Sequence, residues 1–387
     1  MSAAFSGLTW DHPRGYDALA AAAAMASAGH ARPLVQWDRQ PLEGFESAPI
    51  GELAARHDLL VLDHPHIGEA AALDCLQPLE ALYPADRIAA WRRQSVGAAL
   101  DSYVWAGRTW ALPLDVAMQV CARRPDRVAD APGDWDAVVR LAERLPVAIS
   151  VAGPHPLLML FAIAAGHGAL PGGDDLLDDR VATDALALMH RLHKLAPSGT
   201  ASLNPIALLE AMATGDAIAL VPLVFGYVTY AMPGTRAHAL GFTDAPRVSG
   251  SGRRGSVLGG TGIGITRRAV PDAALLAHLA WLMDPRTQTA FVPAHGGQPS
   301  ARDAWTDAGV NAACGGFYRD TLATAETALV RPRFDGYVAF QSRAGERIRR
   351  ALAAAEPAAV TLAGLRDDWR HARAAARGDL DDTRSIR

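Results

Sequence analysis

Two short apolar runs in this chain end in the same triplet, Asp-His-Pro: LTWDHPRG over 8–15 and DLLVLDHPHIG over 58–68. A carboxylate beside an imidazole can move protons, hold a divalent metal, or hydrogen-bond a polyhydroxylated solute. Asp11, His12, Asp63, His64 and His66 are therefore the first candidates. Three roles stay open for them: contact with a ligand without a metal, a metal site completed by Glu69, or capping of the helix or loop that follows. His64 and His66 would point to opposite sides of an extended chain, so they converge only where the chain turns at Pro65. Arg14 follows the first tip, near the start of the next helix, a place that favours an anionic group such as a carboxylate. The competing reading is a surface or salt-bridged arginine.

Other residue types extend the set. Trp10, Trp37, Tyr227 and Tyr230 offer flat faces on which a sugar or another ring-shaped polar solute stacks while neighbouring polar groups bond its rim. Core packing is the competing reading for each, weakest for Trp10 and Tyr227 at strand ends. Asp115 and Gln119 add a carboxylate and an amide. In GGTGIG (259–264) the spacing is not that of a dinucleotide-binding loop, and a strand follows rather than a helix. Gly260 is expected to allow close approach of backbone to ligand, with Thr261 as a donor. Gln298, in the turn GGQP, reaches for the same site. The chain has no G-x-S-x-G elbow and no H-E-x-x-H pair, and no cysteine sits in a nucleophile's context. No cofactor is expected, and beyond the role left open at the tips no residue is assigned to a metal.

These residues have to be positioned by elements. Leu59–Leu62, apolar without alternation, reads as a strand buried on both faces, the habit of a parallel α/β sheet, and Pro65 ends it. The two tips then close the first and third strands of successive βαβ units, neighbours in a doubly wound sheet of order 2-1-3 that face one crevice. Helices are expected over 15–29, 46–57, 84–100, 135–145, 156–166, 178–195, 202–214, 270–294, 301–309, 315–329 and 337–376. Strands are expected over 34–37, 109–114, 116–123, 147–151 and 218–224, with a strand pair through the glycines of 256–266. Strands alternating with helices make the chain α/β.

The totals narrow the function. At 387 residues two domains are expected. A net charge of −4 without a basic stripe gives no field for nucleic acid or acidic membranes. Lys194 is the lone lysine, which excludes a Walker A loop. Cys75, Cys121 and Cys314 are odd in number and far apart, so neither a disulfide framework nor a paired metal site is expected. No run reaches the length of a membrane span. The Ala-rich stretch 16–31 reads as a first helix rather than a leader, so the chain as written shows no export signal and reads as cytoplasmic.

Several stretches, in order, resemble the extracellular solute-binding proteins of ABC importers, in the large and mostly carbohydrate-binding group. They are GRTWALPLDVAMQVCARRPD (107–126), LLEAMATGDAIALVPL (208–223), LGGTGIGITRRAVPDAALLAHLAWLMDPRTQTAF (258–291) and AHGGQPSARDAW (294–305). The resemblance spans about residues 5–355. It implies a two-lobed periplasmic-binding-protein fold of type II, with a ligand cleft between two doubly wound sheets joined by a hinge. The lobes are expected as 1–114 with 238–300, and 115–237 with 301–376, leaving 377–387 as a tail. The family is periplasmic or extracellular and works with importer membrane subunits, which makes a monomer that captures a sugar, polyol or carboxylate the leading expectation. The absent leader keeps a cytoplasmic ligand sensor or carrier open, and the Asp-His tips keep an enzyme open.

Overall fold

The computed structural model describes the backbone of residues 4–29, 33–250 and 252–385, with side chains through residue 376. The strands are β1 (Phe5–Trp10), β2 (Val35–Gln40), β3 (Leu59–Leu62), β4 (Val104–Trp105), β5 (Arg108–Thr109), β6 (Leu112–Arg123), β7 (Leu220–Phe225), β8 (Gly241–Thr243) and β9 (Leu258–Ile265). The first helices are α1 (Pro13–Ala26), α2 (Leu42–Ser47), α3 (Ile50–Ala54), α4 (Ile67–Ala72) and α5 (Ala85–Gln94). Next come α6 (Trp135–Ala142), α7 (His155–Gly166), α8 (Asp179–Leu195), α9 (Pro205–Thr214) and α10 (Ala273–Leu282). The chain ends with α11 (Val292–Ala294), α12 (Arg302–Thr306), α13 (Ala308–Ala313), α14 (Phe317–Thr327), α15 (Tyr337–Ala354) and α16 (Ala358–Ser385).

The chain divides into two compact units. Unit 1 is Met1–Ala117 with Gly259–Ala313, and unit 2 is Met118–Leu258 with Cys314–Arg387. In unit 1, β1 pairs in parallel with β2 on one side and β3 on the other, the expected 2-1-3 order, and β9 runs antiparallel to β3. The unbroken apolar run of β3 is explained by its two covered faces. Leu59 and Val61 pack with Leu19, Leu275 and Leu279 of α1 and α10, while Leu60 and Leu62 pack with Leu53, Ile67 and Ala70 of α3 and α4. In unit 2, β7 and β8 each pair antiparallel with β6. Helix α7 is apolar all round because it is buried all round, among α8, α15 and Trp369 of α16.

Proline accounts for two of the departures from the expected elements. The helix expected over 46–57 is broken by Pro49 into α2 and α3, and the one over 337–376 is broken by Pro357 into α15 and α16. The backbone of α16 continues to Ser385, so the expected tail begins as helix. The helix expected over 270–294 stops at Leu282, and a π-helical turn, Thr287–Phe291, precedes α11. The glycines of 256–266 form one strand rather than a pair. Val147–Val151 makes a single bridge, Val147 to Leu220, and is not a strand. The unit boundaries fall later than the expected 114/115, 237/238 and 300/301, at 117/118, 258/259 and 313/314. Residues 238–258 stay with unit 2 because β8 pairs β6, and Ala245 and Val257 enter its core. Residues 301–313 stay with unit 1, where Ala301 bridges Ser95 and the Trp305 indole donates to Pro299 O at 2.8 Å.

Candidate functional site

Pro13 at the first position of α1 fixes the backbone for helix entry, and Arg14 follows it. The Arg14 guanidinium is buried and forks onto Asp115 of β6: Nε donates to Oδ2 at 2.9 Å and Nη2 donates to Oδ1. The backbone N–H of Gln298 adds a third bond to Asp115 Oδ2, at 3.3 Å. Two parallel N–H···O bonds and a backbone donor are what a desolvated carboxylate needs if burial is not to cost more than pairing returns. The anion expected beside Arg14 is thus supplied by Asp115 of the same chain.

The two Asp-His-Pro tips have diverged in role. Asp11 is exposed and pairs at 2.9 Å with Arg39, whose guanidinium lies 4.7 Å from the Tyr16 ring centroid. His12 caps α1, its Nδ1 accepting the Arg14 backbone N–H at 3.1 Å, which leaves the proton of a neutral ring on Nε2. At the second tip, Asp63 Oδ1 accepts the His64 N–H at 2.8 Å, and His64-Pro65-His66 is a buried 3₁₀ turn. The chain does turn at Pro65. The His64 ring stands edge-on to Tyr103 with centroids 6.4 Å apart. Of the three roles open from sequence, capping is the one seen for His12 and Asp63. Among the described residues no group of three or more His, Cys, Asp or Glu converges as a metal-ligand set, so Glu69 does not complete one.

The remaining candidates separate by unit. In unit 1, Trp10 packs on Phe45 at 5.2 Å and lies against Gly15, where a Cβ would come within 2.4 Å of the ring. Trp37 faces Gly7, its register partner, and a Cβ there would meet the ring at 2.5 Å. Both rings belong to the core of unit 1, a correction to their reading as open stacking faces. Gly260 has φ +102°, and a Cβ there would lie 2.2 Å from Asp115 O. Its close approach is to the backbone of β6, not to a ligand. Gln298 donates Nε2 to Val116 O at 2.8 Å and accepts the Val116 N–H at 3.0 Å, clamping β6 rather than reaching outward. In unit 2, Tyr230 is buried beneath Arg236, 4.0 Å from its ring, and donates its hydroxyl to Ile206 O at 3.4 Å. That arrangement is packing, and it corrects Tyr230 as a stacking face. Tyr227 lies edge-on to Tyr230 at 6.4 Å. Gln119 pairs with Phe225 across β6 and β7.

Among the described residues, some buried polar atoms have no hydrogen-bond partner: Trp10 Nε1, Trp37 Nε1 and Thr261 Oγ1 in unit 1, and Gln119 Oε1, Ser150 Oγ and Thr229 Oγ1 in unit 2. Buried polar groups in native proteins are nearly always satisfied, so these atoms are candidates for bonding a water or a ligand. Sequence reading missed a polar group of unit 2. His155, at the start of α7, lies 5.8 Å from the Phe225 ring, and the buried Arg331 donates to Gln341 Oε1 at 3.2 Å. Burial, aided by the Arg331 charge, pushes the His155 imidazole down to about 3, so it is neutral at ordinary pH. The signal was present: His155-Pro156 is a further His-Pro step ahead of a helix, like those at 12–13 and 64–65.

No family model and no curated protein sequence matches the chain. Solved structures do. An ABC transporter solute-binding protein from Agrobacterium radiobacter K84, in complex with ribitol, is 18% identical, with a TM-score of 0.80 over 96% of this chain and 98% of that one. Maltose-bound MalE3 from T. maritima is 17% identical, with a TM-score of 0.77 over 95% of this chain and 99% of that one. An ABC transporter solute-binding protein from Agrobacterium vitis S4 with bound D-mannitol is 17% identical, with a TM-score of 0.75 over 96% and 99%. The chain has the α/β fold of these solute-binding proteins along almost its whole length.

Proposed function

We propose that the protein captures one small polar solute, a sugar or polyol, reversibly and without covalent chemistry, and hands it to the membrane subunits of an ABC importer as a monomer. The observation that carries this reading is fold likeness over 95% or more of the chain to proteins solved with ribitol, maltose and D-mannitol. Fold alone does not fix function. The polar inventory is what makes the reading specific. In unit 1 the proposed binding groups are His12, Arg14, Asp63, His64, His66, Asp115 and Thr261, with the Trp10 indole edge. In unit 2 they are Gln119 and Tyr227, joined by His155. Imidazole, amide, hydroxyl and carboxylate hydrogen-bonding atoms, with an internally compensated Arg–Asp pair, suit a solute rich in hydroxyls. Among the described residues no helix is long and apolar enough to cross a membrane.

The test is thermal unfolding against a panel of ribitol, D-mannitol, maltose, amino acids, carboxylates and divalent metals, with and without chelator. A ligand at a thousandfold its dissociation constant adds about 4 kcal/mol and moves the midpoint by several degrees. A shift with a sugar or polyol, indifferent to chelator, supports the proposal. A shift with metal alone, or with none of the solutes, overturns it.

A further inference from the structure

One heavily bonded side-chain amide of unit 1 has no part in the functional reading. Gln288 sits in the π-helical turn Thr287–Phe291 and is fully buried. Its Nε2 donates to Leu282 O at 2.8 Å, which ties the π turn to the end of α10. Its Oε1 accepts three bonds from one loop: Ser300 N at 2.7 Å, Ala301 N at 3.2 Å and Ser300 Oγ at 3.3 Å. Ser300 Oγ also donates to Pro113 O, and Pro299 bridges Asp115. Gln298 then closes the path, its backbone N–H on Asp115 Oδ2 and its side chain on Val116 O. A continuous set of bonds therefore runs from Gln288, through 298–301, to the carboxylate that holds Arg14. A π turn costs regular helical bonds and recurs where a side chain must be placed for a purpose.

We propose that Gln288 is a positioning residue for the Arg14–Asp115 centre, setting the aim of both side chains through the 298–301 loop without touching the solute. The value of the centre for solute binding rests on the function proposed above; the positioning itself does not. Gln288→Met removes the acceptor at near-constant volume. Gln288→Glu keeps an acceptor for Ser300 and Ala301 while losing the bond to Leu282 O. Ser300→Ala removes one hydroxyl of the path.

The experiment reads the Arg14 Nε–H signal by ¹⁵N NMR, assigned through its loss in Arg14→Met. In parallel, it measures the affinity for ribitol, D-mannitol and maltose. In Gln288→Met the Arg14 Nε–H is expected to exchange with water about tenfold faster or more, with the amides of β1–β3 unchanged, and Gln288→Glu is expected to restore most of the protection. For whichever of the three solutes binds, the affinity losses of Gln288→Met and Asp115→Asn should be non-additive by about fivefold or more. A purely structural role predicts additive losses and an unmoved Arg14 signal, and that result in folded Gln288→Met overturns the proposal. If Gln288→Met does not fold, Ser300→Ala decides: unchanged Arg14 exchange overturns the proposal and faster exchange supports it. If Arg14→Met and Asp115→Asn leave solute affinity intact, the proposed function of the centre fails, while the exchange data still decide the role of Gln288.

Discussion

Arg14 and Asp115, 101 positions apart in sequence, form a two-bond ion pair with each side chain no more than 4% exposed. Removing one partner of such a pair strands a buried charge, at a typical cost of 3–5 kcal/mol, whereas replacing both with apolar residues of similar volume is often near neutral. Asp115→Ala is therefore expected to lower stability by about 3–5 kcal/mol, and Arg14→Met/Asp115→Leu to recover most of it. Urea unfolding of the two single variants and the double variant checks this. A double variant as unstable as the sum of its singles would mean the pair is held by more than its own charges.

Gly260 is a position of β9 where backbone conformation and backbone contacts both oppose a side chain. Its φ of +102° is unfavourable for any L side chain, and a Cβ would lie 2.2 Å from Asp115 O and 2.8 Å from Val116 Cα. Gly260→Ala combines backbone strain with a backbone clash and is expected to cost on the order of 2–4 kcal/mol. Gly264→Ala in the same strand meets only side-chain atoms, at 3.0 Å or more, and should cost clearly less. Equal losses at the two positions in thermal unfolding would contradict the close approach at Gly260.

What was legible in the sequence followed from runs and breakers. Leu59–Leu62 is apolar without alternation because both its faces are covered, and the 2-1-3 order follows from where the two tips fall. The aromatics were harder. Trp37 closes the strand expected over 34–37 but lies inside β2, and Tyr230 lies beyond the end of β7; Gly7 and Arg236 occupy their faces, and nothing local to either sequence stretch reveals a partner at that distance. The same limit hid the Arg14–Asp115 pair. Each residue was a candidate alone, and only the fold joined them. Gly260 was read for its missing side chain, correctly, but the backbone it approaches is that of β6.

Asp11 offers a clean separation of stability from binding. Its pair with Arg39 is more than half exposed on both sides, with side chains 60% and 52% accessible. Exposed pairs of this kind contribute about 0–1 kcal/mol and are screened by salt. Asp11→Ala should leave the unfolding midpoint within a degree or so of wild type, while any solute that bonds the first tip loses affinity. Isothermal titration with the solute found by the panel decides between contact and decoration. Unchanged affinity would keep Asp11 outside the proposed binding groups of unit 1, and weakened affinity would add it to them.

His155 makes stability depend on pH in a direction that can be worked out. Burial and the Arg331 charge lower its folded pKa to about 3, against 6.5 in the unfolded chain. Protons therefore bind the unfolded state first. The penalty is absent above about pH 6.5 and grows as pH falls toward 3, by about 1.4 kcal/mol per pH unit for one site. Replacing the ring with a side chain that does not titrate, His155→Gln, should flatten that part of the profile, so that wild type loses stability relative to the variant between pH 6 and 4. Other groups titrate in this range in both proteins, so the difference between the two urea-unfolding curves is the quantity to read. Parallel curves would mean that His155 takes up its proton in the folded protein, which requires water or a carboxylate to reach the start of α7.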